Sequence, residues 1–311
     1  MVTAQPALIG IDWGSTSLRA FLIAADGKVL QEHAAAKGAS TLHGHPAFVA
    51  ALDEVTGAWR AEYPSLPLLA CGMVGSQHGW LDVPYASCPA GSTDLAAGLR
   101  TPDDTLLAIV PGVLCDDGVL PPDLMRGEET QIVGALAHHP ALADSCVVLP
   151  GTHSKWTHVA QGRIVRFATH MTGELYAVLR QHSVLGRLMA PEVAPSDDAF
   201  LRGVAAARDA GELGLPHQLF AARSLGVTER LPHAVLAEYL SGLLIGHELR
   251  AGLAWRTAHG LAHQPLAMVG APALCERYQL ALRHFGQPAG LVLDNTAPAG
   301  LLALARAAHL I

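Results

Sequence analysis

The sequence predicts an α/β fold built from two domains, and three observations support this prediction. Short apolar runs typical of strands alternate with longer helical stretches in both halves of the chain. A strand, a polar turn, a second strand and a hairpin turn near the start are followed by the same series about halfway along. The 311 residues are 50% hydrophobic and 15% charged, enough apolar material for two cores. We therefore predict one domain over residues 1–140 and a second over 141–311, with the last helix packing back on the first.

The individual elements follow from the apolar pattern and from the residues that interrupt it. Short apolar runs that end at glycine, aspartate or proline predict strands, and longer mixed stretches predict helices. The predicted strands cover residues 7–11, 18–23, 28–30, 68–74, 107–110, 146–149, 155–160, 163–165 and 266–269. The predicted helices cover residues 46–63, 127–138, 172–189, 197–210, 232–255, 272–284 and 298–308.

The first copy of the repeated pattern carries a polar turn between two strands. Asp12 ends the first strand, and the turn that follows has the sequence Gly14-Ser15-Thr16-Ser17. A glycine followed by hydroxyl residues allows the backbone to approach phosphate oxygens closely and supplies hydrogen-bond donors. A carboxylate at the end of the strand can hold a hydrated Mg²⁺. On its own the turn is equally consistent with an ordinary polar hairpin.

The second copy repeats this arrangement and adds a lysine. The turn Gly151-Thr152-His153-Ser154-Lys155 follows the strand predicted at residues 146–149. Two such loops in matching contexts predict a site that grips a polyphosphate from both sides of a cleft between the domains. Lys155 either contacts phosphate or points to solvent from its strand.

Two further junctions between strands and helices are candidates for chemistry. The strand at residues 266–269 ends at Gly270 and Ala271, where the chain can pass close to a nucleotide base or ribose, although such junctions are common. Arg126-Gly127-Glu128-Glu129 opens a predicted helix, and acids there often only complement the helix dipole. A phosphate-transferring site also needs a carboxylate to deprotonate the acceptor hydroxyl. The acidic pair Asp116-Asp117 is the alternative source of such a group.

Composition and charge exclude several classes of protein. The chain has 20 basic and 27 acidic residues, a net charge of −7, and no basic cluster, so nucleic acid is not an expected partner. The five cysteines are scattered without the spacing of a zinc or redox motif. No signal peptide is recognisable, and no apolar run approaches the ~18 residues of a membrane span. We expect a cytoplasmic protein with no membrane partner.

The motifs resemble those of the sugar kinase, actin and heat-shock ATPase superfamily. In that superfamily two duplicated, ribonuclease H-like domains of actin-like ATPase type each present a phosphate loop on a β-hairpin and enclose an interdomain cleft. Residues 12–17 resemble the first phosphate motif, residues 151–155 the second, and residues 269–271 the adenosine motif. Within the superfamily the chain resembles the 2-dehydro-3-deoxygalactonokinase family. The most specific strings are Met-Arg-Gly-Glu-Glu-Thr-Gln at residues 125–131 and Pro-Gly-Thr-His-Ser-Lys-Trp at 150–156.

The resemblance implies ATP-dependent phosphorylation of the C6 hydroxyl of 2-dehydro-3-deoxy-D-galactonate, in galactonate catabolism. ATP and Mg²⁺ are then the expected cofactors, with Asp12 holding the metal directly or through water. Glu129 is the expected base, and Glu128 is the second choice. The expected ATP phosphate contacts are Gly14, Ser15, Thr16, Ser17, Gly151, Thr152, His153, Ser154 and Lys155. The expected adenosine contacts are Gly270 and Ala271, and the expected sugar acid contacts are Ser76, Trp80, Arg126 and His170, the last in a turn at residues 169–170.

One departure from the family pattern and several alternatives remain at this point. Gln77 stands where arginine is frequent in the family, so a contact to the substrate carboxylate would move to His78 or Arg126. The chain could instead phosphorylate another sugar or sugar acid, hydrolyse polyphosphate as an exopolyphosphatase-like enzyme does, or act as a non-catalytic nucleotide switch. The sequence is consistent with a monomer or a homodimer.

Overall fold

The computed structural model describes residues 5–209 and 214–311, and its mixed helices and sheets confirm the α/β class. The chain divides into two compact units. The first contains the described residues up to Asp144, residues 157–167 and residues 295–311. The second contains residues 145–156 and 168–294. The division into domains at residues 140 and 141 stays a prediction, because a compact unit need not be an independent domain.

Thirteen strands and nine α-helices lie in the described ranges. The strands are β1 (Pro6–Trp13), β2 (Leu18–Ala24), β3 (Val29–Ala35), β4 (Leu68–Cys71), β5 (Ala86–Ser87), β6 (Leu107–Ile109), β7 (Val113–Cys115), β8 (Asp123–Met125), β9 (Ser145–Leu149), β10 (Ser154–Ala160), β11 (Arg163–His170), β12 (Leu266–Val269) and β13 (Leu291–Leu293). The helices are α1 (His45–Glu62), α2 (Ser92–Ala97), α3 (Glu128–His138), α4 (Thr172–His182), α5 (Asp197–Arg208), α6 (Gly214–Val227), α7 (Leu236–Ala258), α8 (Pro272–His284) and α9 (Ala297–Ala307).

Two five-stranded sheets have the same strand order. The first runs β3-β2-β1-β4-β6, and the second runs β11-β10-β9-β12-β13. In the first, β1 pairs antiparallel with β2 and parallel with β4. In the second, β12 pairs parallel with both β9 and β13. A small third sheet, β5-β7-β8, precedes α3 in the chain.

Helices cover both faces of the first sheet, which explains why β1 reads as a nearly continuous apolar run. Side chains alternate across a strand, so Ile9 and Ile11 share a core with Phe48 and Leu52 of α1. Gly10 points to the other face, where an added Cβ would lie 3.1 Å from Leu301 of α9. Residues of α9 therefore belong to the core of the first unit.

Helices α3 and α9 approach each other closely at two glycines. A Cβ on Gly134 of α3 would lie 2.0 Å from the carbonyl oxygen of Thr296. A Cβ on Gly300 of α9 would lie 1.9 Å from the carbonyl oxygen of Thr130. The Thr296 hydroxyl also donates to the carbonyl oxygen of Gln131 at 2.6 Å. The absence of side chains at both glycines lets the two helix backbones touch.

Several elements differ from their predicted bounds. The strand predicted at 68–74 ends at Cys71, because Gly72 adopts φ +93° and starts a short 3₁₀ turn. The helix predicted at 172–189 ends at His182, where Ser183 becomes extended. Residues 169–170 are the end of β11 and do not form the predicted turn, since the strand continues to His170.

Other elements were absent from the sequence prediction. Helix α6 was missed because Pro216 suggests a break, but proline is tolerated in the first helical turn. Helix α2 lies inside a segment rich in glycine and proline, where the amide of Gly91 donates to Asp94 at 2.8 Å. Residue 210, the predicted end of α5, is outside the described residues. No helix in residues 5–209 and 214–311 is long and apolar enough to cross a membrane.

Candidate active-site residues

The turn between β1 and β2 is ordered by its own backbone and exposes its hydroxyl side chains. The amide of Gly14 donates to the carbonyl oxygen of Ser17 at 2.9 Å, and the carbonyl oxygen of Ser15 accepts from the Ser40 amide at 3.1 Å. The side chains of Ser15, Thr16 and Ser17 are all exposed. The predicted phosphate loop is therefore a pre-formed turn whose hydroxyl groups are accessible to a ligand.

Asp12 ends β1 beside this turn and is paired with a residue of the next strand. Its Oδ2 accepts a hydrogen bond from Arg19 Nη2. Asp12 is also the register partner of Cys71 at the end of β4. Burial, followed by the carboxylates of Asp12 and Glu129, raises the pKa of the Cys71 thiol well above its usual value. Both Asp12 and Glu129 thus lie close enough to affect the same buried sulfur. The ends of β1 and β4 therefore lie near the start of α3.

The junction between β8 and α3 holds two glutamates in different surroundings. Gly127 adopts φ +113°, and an added Cβ would lie 3.3 Å from the Cα of Gly72. Glu128 Oε2 accepts from the Arg126 amide at 3.0 Å and Glu129 Oε2 from the Gly127 amide at 2.7 Å. Glu128 is partly exposed, whereas Glu129 is fully buried. Both carboxylates are anchored by backbone amides at the helix start.

Glu129 holds a proton more tightly than an ordinary glutamate. Burial first, and the neighbouring Glu128 carboxylate second, raise the pKa of Glu129 to about 7. The Thr130 hydroxyl donates to Glu129 Oε1 at 3.1 Å and, with the Gly127 amide, opposes this rise. A carboxylate with such a pKa can accept a proton near neutral pH.

Arg126 is a buried cation with unused hydrogen-bond donors. It is 8% exposed, and its Nη2 donates to the carbonyl oxygen of Val83 at 2.7 Å. Its guanidinium carbon lies 4.2 Å from the centre of the Tyr85 ring. Its Nε and Nη1 are buried and have no hydrogen-bond partner. A planar group with two idle nitrogens is suited to a carboxylate ligand.

The other predicted sugar acid contacts of the first unit are already engaged. The Ser76 hydroxyl donates to the carbonyl oxygen of Met73 at 2.8 Å, so only its lone pairs remain for a ligand. Trp80 Nε1 donates to His45 Nδ1 at 3.0 Å, and the Trp80 ring stacks on Phe48. Gln77 is exposed. Among the residues predicted for sugar acid in this unit, Arg126 alone presents unused buried donors.

The second predicted loop, after β9, packs against the first turn of α4. The Glu174 amide donates to the carbonyl oxygen of Thr152 at 3.1 Å, and Glu174 also binds His153 Nε2. A Cβ on Gly173 would lie 2.6 Å from the carbonyl oxygen of Gly151. Thr152 and His153 are exposed. The loop therefore lies next to a helix N-terminus, whose partial positive charge favours anions.

Ser154 and Lys155 belong to β10 and point into the protein. The Ser154 hydroxyl is fully buried, 3.0 Å from the Tyr278 hydroxyl. Lys155 is 4% exposed, and its Nζ donates to the Thr169 hydroxyl at 2.9 Å. The alternative in which Lys155 points to solvent is therefore wrong. A phosphate contact by Ser154 would require its hydroxyl to leave the interior.

A cavity of about 510 Å³ in the second unit adjoins this loop. Gly151, Thr152 and Ala271 line it together, so the structure brings the second loop and the predicted adenosine motif to one cavity. Gly270 lies behind, where an added Cβ would be 3.5 Å from the carbonyl oxygen of Pro150. The volume of the cavity falls in the range of about 300–1,000 Å³ typical of small-molecule sites.

The walls of the cavity are apolar on one side and carry a paired charge on another. Leu244, Ile245 and Leu274 supply the apolar side. Arg277 is ion-paired with Glu238, and its guanidinium carbon lies 3.8 Å from the centre of the Phe200 ring. Because the two charged side chains neutralise each other, this part of the lining is suited to an uncharged, flat group.

His170 lies in the second unit, at the end of β11, and its Nε2 is buried without a hydrogen-bond partner. His170 belongs to a different unit from Arg126, Ser76 and Trp80, and its contact with the sugar acid stays a prediction.

The sequence prediction missed residues that surround these sites. Arg19 pairs with Asp12, Tyr85 stacks on Arg126, and Glu174 holds His153. Arg19 and Glu174 lie within about twenty residues of their partners, but no motif distinguishes them. Tyr278 contacts Ser154 across 124 positions of sequence, which no local pattern can reveal.

A hydroxyl-bearing loop, a buried carboxylate that binds protons near neutral pH and a nucleotide-sized cavity are parts that a phosphate-transferring enzyme needs. A family model described as 2-keto-3-deoxy-galactonokinase matches residues 12–304. The chain belongs to this family, and it is a kinase.

The curated relatives carry the more specific name. The 2-dehydro-3-deoxygalactonokinase of Escherichia coli (strain K12) is 40% identical over 301 residues, covering 96% of this chain and 97% of that one. The protein named "Probable 2-dehydro-3-deoxygalactonokinase DgoK1" of Rhizobium meliloti (strain 1021) is 35% identical over 302 residues, 96% of each. A structure described as "Crystal structure of a putative 2-dehydro-3-deoxygalactonokinase protein from Sinorhizobium meliloti" matches with a TM-score of 0.86 and 34% identity, covering 96% of this chain and 98% of that one.

Proposed function

We propose that this kinase transfers the γ-phosphoryl group of ATP to the C6 hydroxyl of 2-dehydro-3-deoxy-D-galactonate, in the catabolism of galactonate. The names of the relatives support the substrate. The observation that carries the proposal in the structure is the buried guanidinium of Arg126 with its idle Nε and Nη1.

Arg126 would bind the carboxylate of the sugar acid. A buried cation without hydrogen-bond partners is costly, and an anionic ligand offsets that cost. Nε and Nη1 have no partner, whereas Nη2 is already held by Val83. A carboxylate oxygen at Nε or at Nη1 would supply one of the missing hydrogen bonds of the guanidinium, and the buried side chain would have to open to the ligand first. This contact would replace the one that an arginine at position 77 would make, since this chain has Gln77 there.

The second unit would bind ATP in the cavity beside residues 151–155. Leu244, Ile245 and Leu274 would contact the adenine, with Ala271 close to the ribose. The phosphates would extend toward Gly151 and Thr152 and the N-terminus of α4. The exposed hydroxyls of the β1–β2 turn are the corresponding donors of the first unit.

Asp12 is the residue that would hold Mg²⁺. No group of three or more histidine, cysteine or acidic residues in the described ranges forms a metal cluster. Proteins often bind Mg²⁺ through one or two carboxylates together with substrate phosphates and water. Asp12 is paired with Arg19, so a contact through water is the simpler one. Bound Mg²⁺ would neutralise negative charge on the phosphate oxygens.

Glu129 and Glu128 are the candidates for the base that takes the proton of the C6 hydroxyl. Glu129 has a pKa of about 7, which suits proton transfer at neutral pH. It is fully buried in the free protein, so the helix start would have to open to the acceptor when substrate binds. Glu128 is already partly exposed. We assign the role to Glu129 on proton affinity and keep Glu128 as its competitor.

We further infer that the two halves of the chain are copies of one ancestral domain of actin-like ATPase type, each with a ribonuclease H-like sheet. The identical strand order of the two sheets supports this, with a polar loop after the first strand of each. ATP and Mg²⁺ as cofactors, and a cytoplasmic location, follow from the proposed chemistry.

The substrate is tested by measuring ADP formation with a panel of aldonic and 2-keto-3-deoxy acids. We expect turnover that depends on 2-dehydro-3-deoxy-D-galactonate, and a product whose C6 protons couple to phosphorus in NMR spectra. Turnover with a different acid alone would contradict the proposed substrate. Phosphate release from ATP or polyphosphate with no acid present would indicate a hydrolase instead.

A further inference from the structure

The proposed chemistry leaves one buried carboxylate of the second unit unused. Glu248 lies in α7 and is 3% exposed. Its hydrogen-bond partners are three uncharged donors: Trp156 Nε1 at 3.0 Å, the Tyr278 hydroxyl at 2.6 Å, and the Thr172 hydroxyl. A buried carboxylate costs free energy that three neutral donors only partly recover, so a role beyond packing is expected.

Two of the three donors line the cavity, and the third follows the second loop in the chain. Trp156 lies in β10, directly after the second loop. Thr172 begins α4, and Tyr278 lies in α8, and both side chains line the cavity. Glu248 therefore ties two cavity-lining helices, α4 and α8, and the strand that follows the second loop to α7.

The network continues from Tyr278 to the loop itself. The Tyr278 hydroxyl lies 3.0 Å from Ser154 Oγ, and Ser154 Oγ accepts from the Gly151 amide at 3.3 Å. Burial, and then Glu248, raise the pKa of Tyr278 well above its usual value, so its hydroxyl keeps its proton.

The hydrogen bond from Tyr278 to Glu248 sets the direction of the bonds that follow. Tyr278 donates its single hydroxyl proton to Glu248 Oε2. Ser154 Oγ accepts from the Gly151 amide, and its own proton goes to Tyr278 at 3.0 Å in preference to the Gly151 carbonyl oxygen at 3.5 Å. The Cα side of Gly151 faces open space, where an added Cβ would meet nothing within 4 Å. Side-chain packing therefore does not hold Gly151 on that side.

We propose that Glu248 is a positioning residue that fixes the second phosphate loop through Tyr278 and Ser154, and thereby sets the affinity for the nucleotide. This inference rests on the proposed function, because it assigns the loop to nucleotide phosphates. It also revises the role of Ser154, which holds the loop from inside while Gly151 and Thr152 face the ligand.

Three variants test the network. Tyr278→Phe removes the hydroxyl that links Glu248 to Ser154 and keeps the ring and the other two bonds to Glu248. Glu248→Gln keeps the size of the side chain but replaces one of the two acceptor oxygens by a donor, so it can no longer accept from Trp156, Tyr278 and Thr172 together. Tyr239→Phe is the matched control, since Tyr239 is a buried tyrosine of α7 that lies outside the network.

The first measurement is amide hydrogen exchange of residues 149–156 in the free protein. We expect exchange to become about ten-fold faster in Tyr278→Phe and Glu248→Gln, and unchanged in Tyr239→Phe. This readout needs no nucleotide, so it remains informative if the proposed function fails. Unchanged exchange in the first two variants would overturn the inference.

The second measurement is ADP affinity by calorimetry, together with KM for ATP and for the sugar acid. We expect a loss of about ten-fold in ADP affinity and a matching rise in KM for ATP, with KM for the sugar acid within about two-fold. The variant that combines Glu248→Gln with Tyr278→Phe should bind ADP as tightly as Glu248→Gln alone, because both changes interrupt the same series of hydrogen bonds. Independent, multiplying effects would contradict a shared series. If Glu248→Gln does not fold, Tyr278→Phe decides alone.

Discussion

At the scale of single residues, the surroundings of Glu129 set its pKa. Its carboxyl group is buried, and Glu128 precedes it in the chain. Both features favour the protonated form, and the amide of Gly127 opposes them. A base in this environment is half ionised near neutral pH, which makes its activity sensitive to small changes around it.

The pH dependence of turnover should report this environment. We expect kcat/KM to fall as the pH drops through about 7, because Glu129 must be ionised to accept a proton. Glu128→Gln removes a negative charge that raises the pKa of Glu129, so the fall should move to lower pH. Glu129→Gln should lose most turnover at every pH. If Glu128→Gln is the inactive variant and Glu129→Gln is not, the base is Glu128.

The free energy of unfolding should change with pH in the direction opposite to turnover, because the buried Glu129 destabilises the folded state when it is ionised. The pKa rises from 4.5 to about 7 on folding, so between these values the folded state binds more protons than the unfolded state. Its contribution to stability is therefore lost as the pH rises through about 7, with an upper limit of about 3 kcal/mol. Glu129→Gln removes this cost, so it should unfold at higher urea than the wild type at pH 8 and differ little at pH 5. Equal midpoints at pH 8 would contradict a raised pKa.

Substitution of Arg126 should change the KM for the sugar acid and leave the KM for ATP nearly unchanged. Lysine keeps the positive charge but lacks the planar set of donors, so Arg126→Lys should raise KM for the sugar acid by about 10- to 100-fold. KM for ATP should stay within about two-fold. Arg100→Lys is the matched control, because Arg100 is exposed and its Nη1 only contacts the neighbouring carbonyl of Leu99. A rise in both KM values would indicate a structural role for Arg126.

At the scale of elements, the contact between α3 and α9 depends on the missing side chains of Gly134 and Gly300. Both would place a Cβ about 2 Å from a backbone oxygen of the other helix. Backbone cannot yield as a flexible side chain can, so the helices would have to separate. The start of α3 carries both candidate bases, which links this contact to the site.

Substitution of these glycines should therefore be destabilising although alanine favours helices. We expect Gly134→Ala and Gly300→Ala each to lower the free energy of unfolding by about 2–4 kcal/mol, measured by urea denaturation. Gly57→Ala in α1 is the control, because an added Cβ there meets nothing within 4 Å. It should be neutral or stabilise by up to about 1 kcal/mol. Similar effects at all three positions would exclude close packing as the cause.

The limits of sequence-based prediction also appear at this scale. The strands next to both loops were predicted because each is a short apolar run bounded by a turn. Helix α6 and the early end of β4 were not, because they depend on Pro216 lying in a first turn and on the φ of Gly72. Residues 126–129 and 151–155 could be proposed from the sequence because each is a contiguous motif, whereas the Glu248 network joins distant positions.

At the scale of the whole molecule, each compact unit carries its own part of the proposed chemistry. The first holds Asp12, Arg126 and Glu129, and the second holds the cavity beside Gly151 and Ala271. The family assignment from local motifs agrees with the comparisons over nearly the whole chain. The last helix, which we expect from the sequence to pack back on the first domain, belongs to the first compact unit, across more than a hundred residues of intervening sequence.

That placement bears on how the protein is made. Synthesis proceeds from the N-terminus, so every residue of the second unit leaves the ribosome before residues 295–311. Until then the groove of α3 beside Gly134 has no partner, and the first unit is incomplete although its leading residues emerged first. Proteins usually fold their N-terminal part first during translation. Here the second unit can finish before the first.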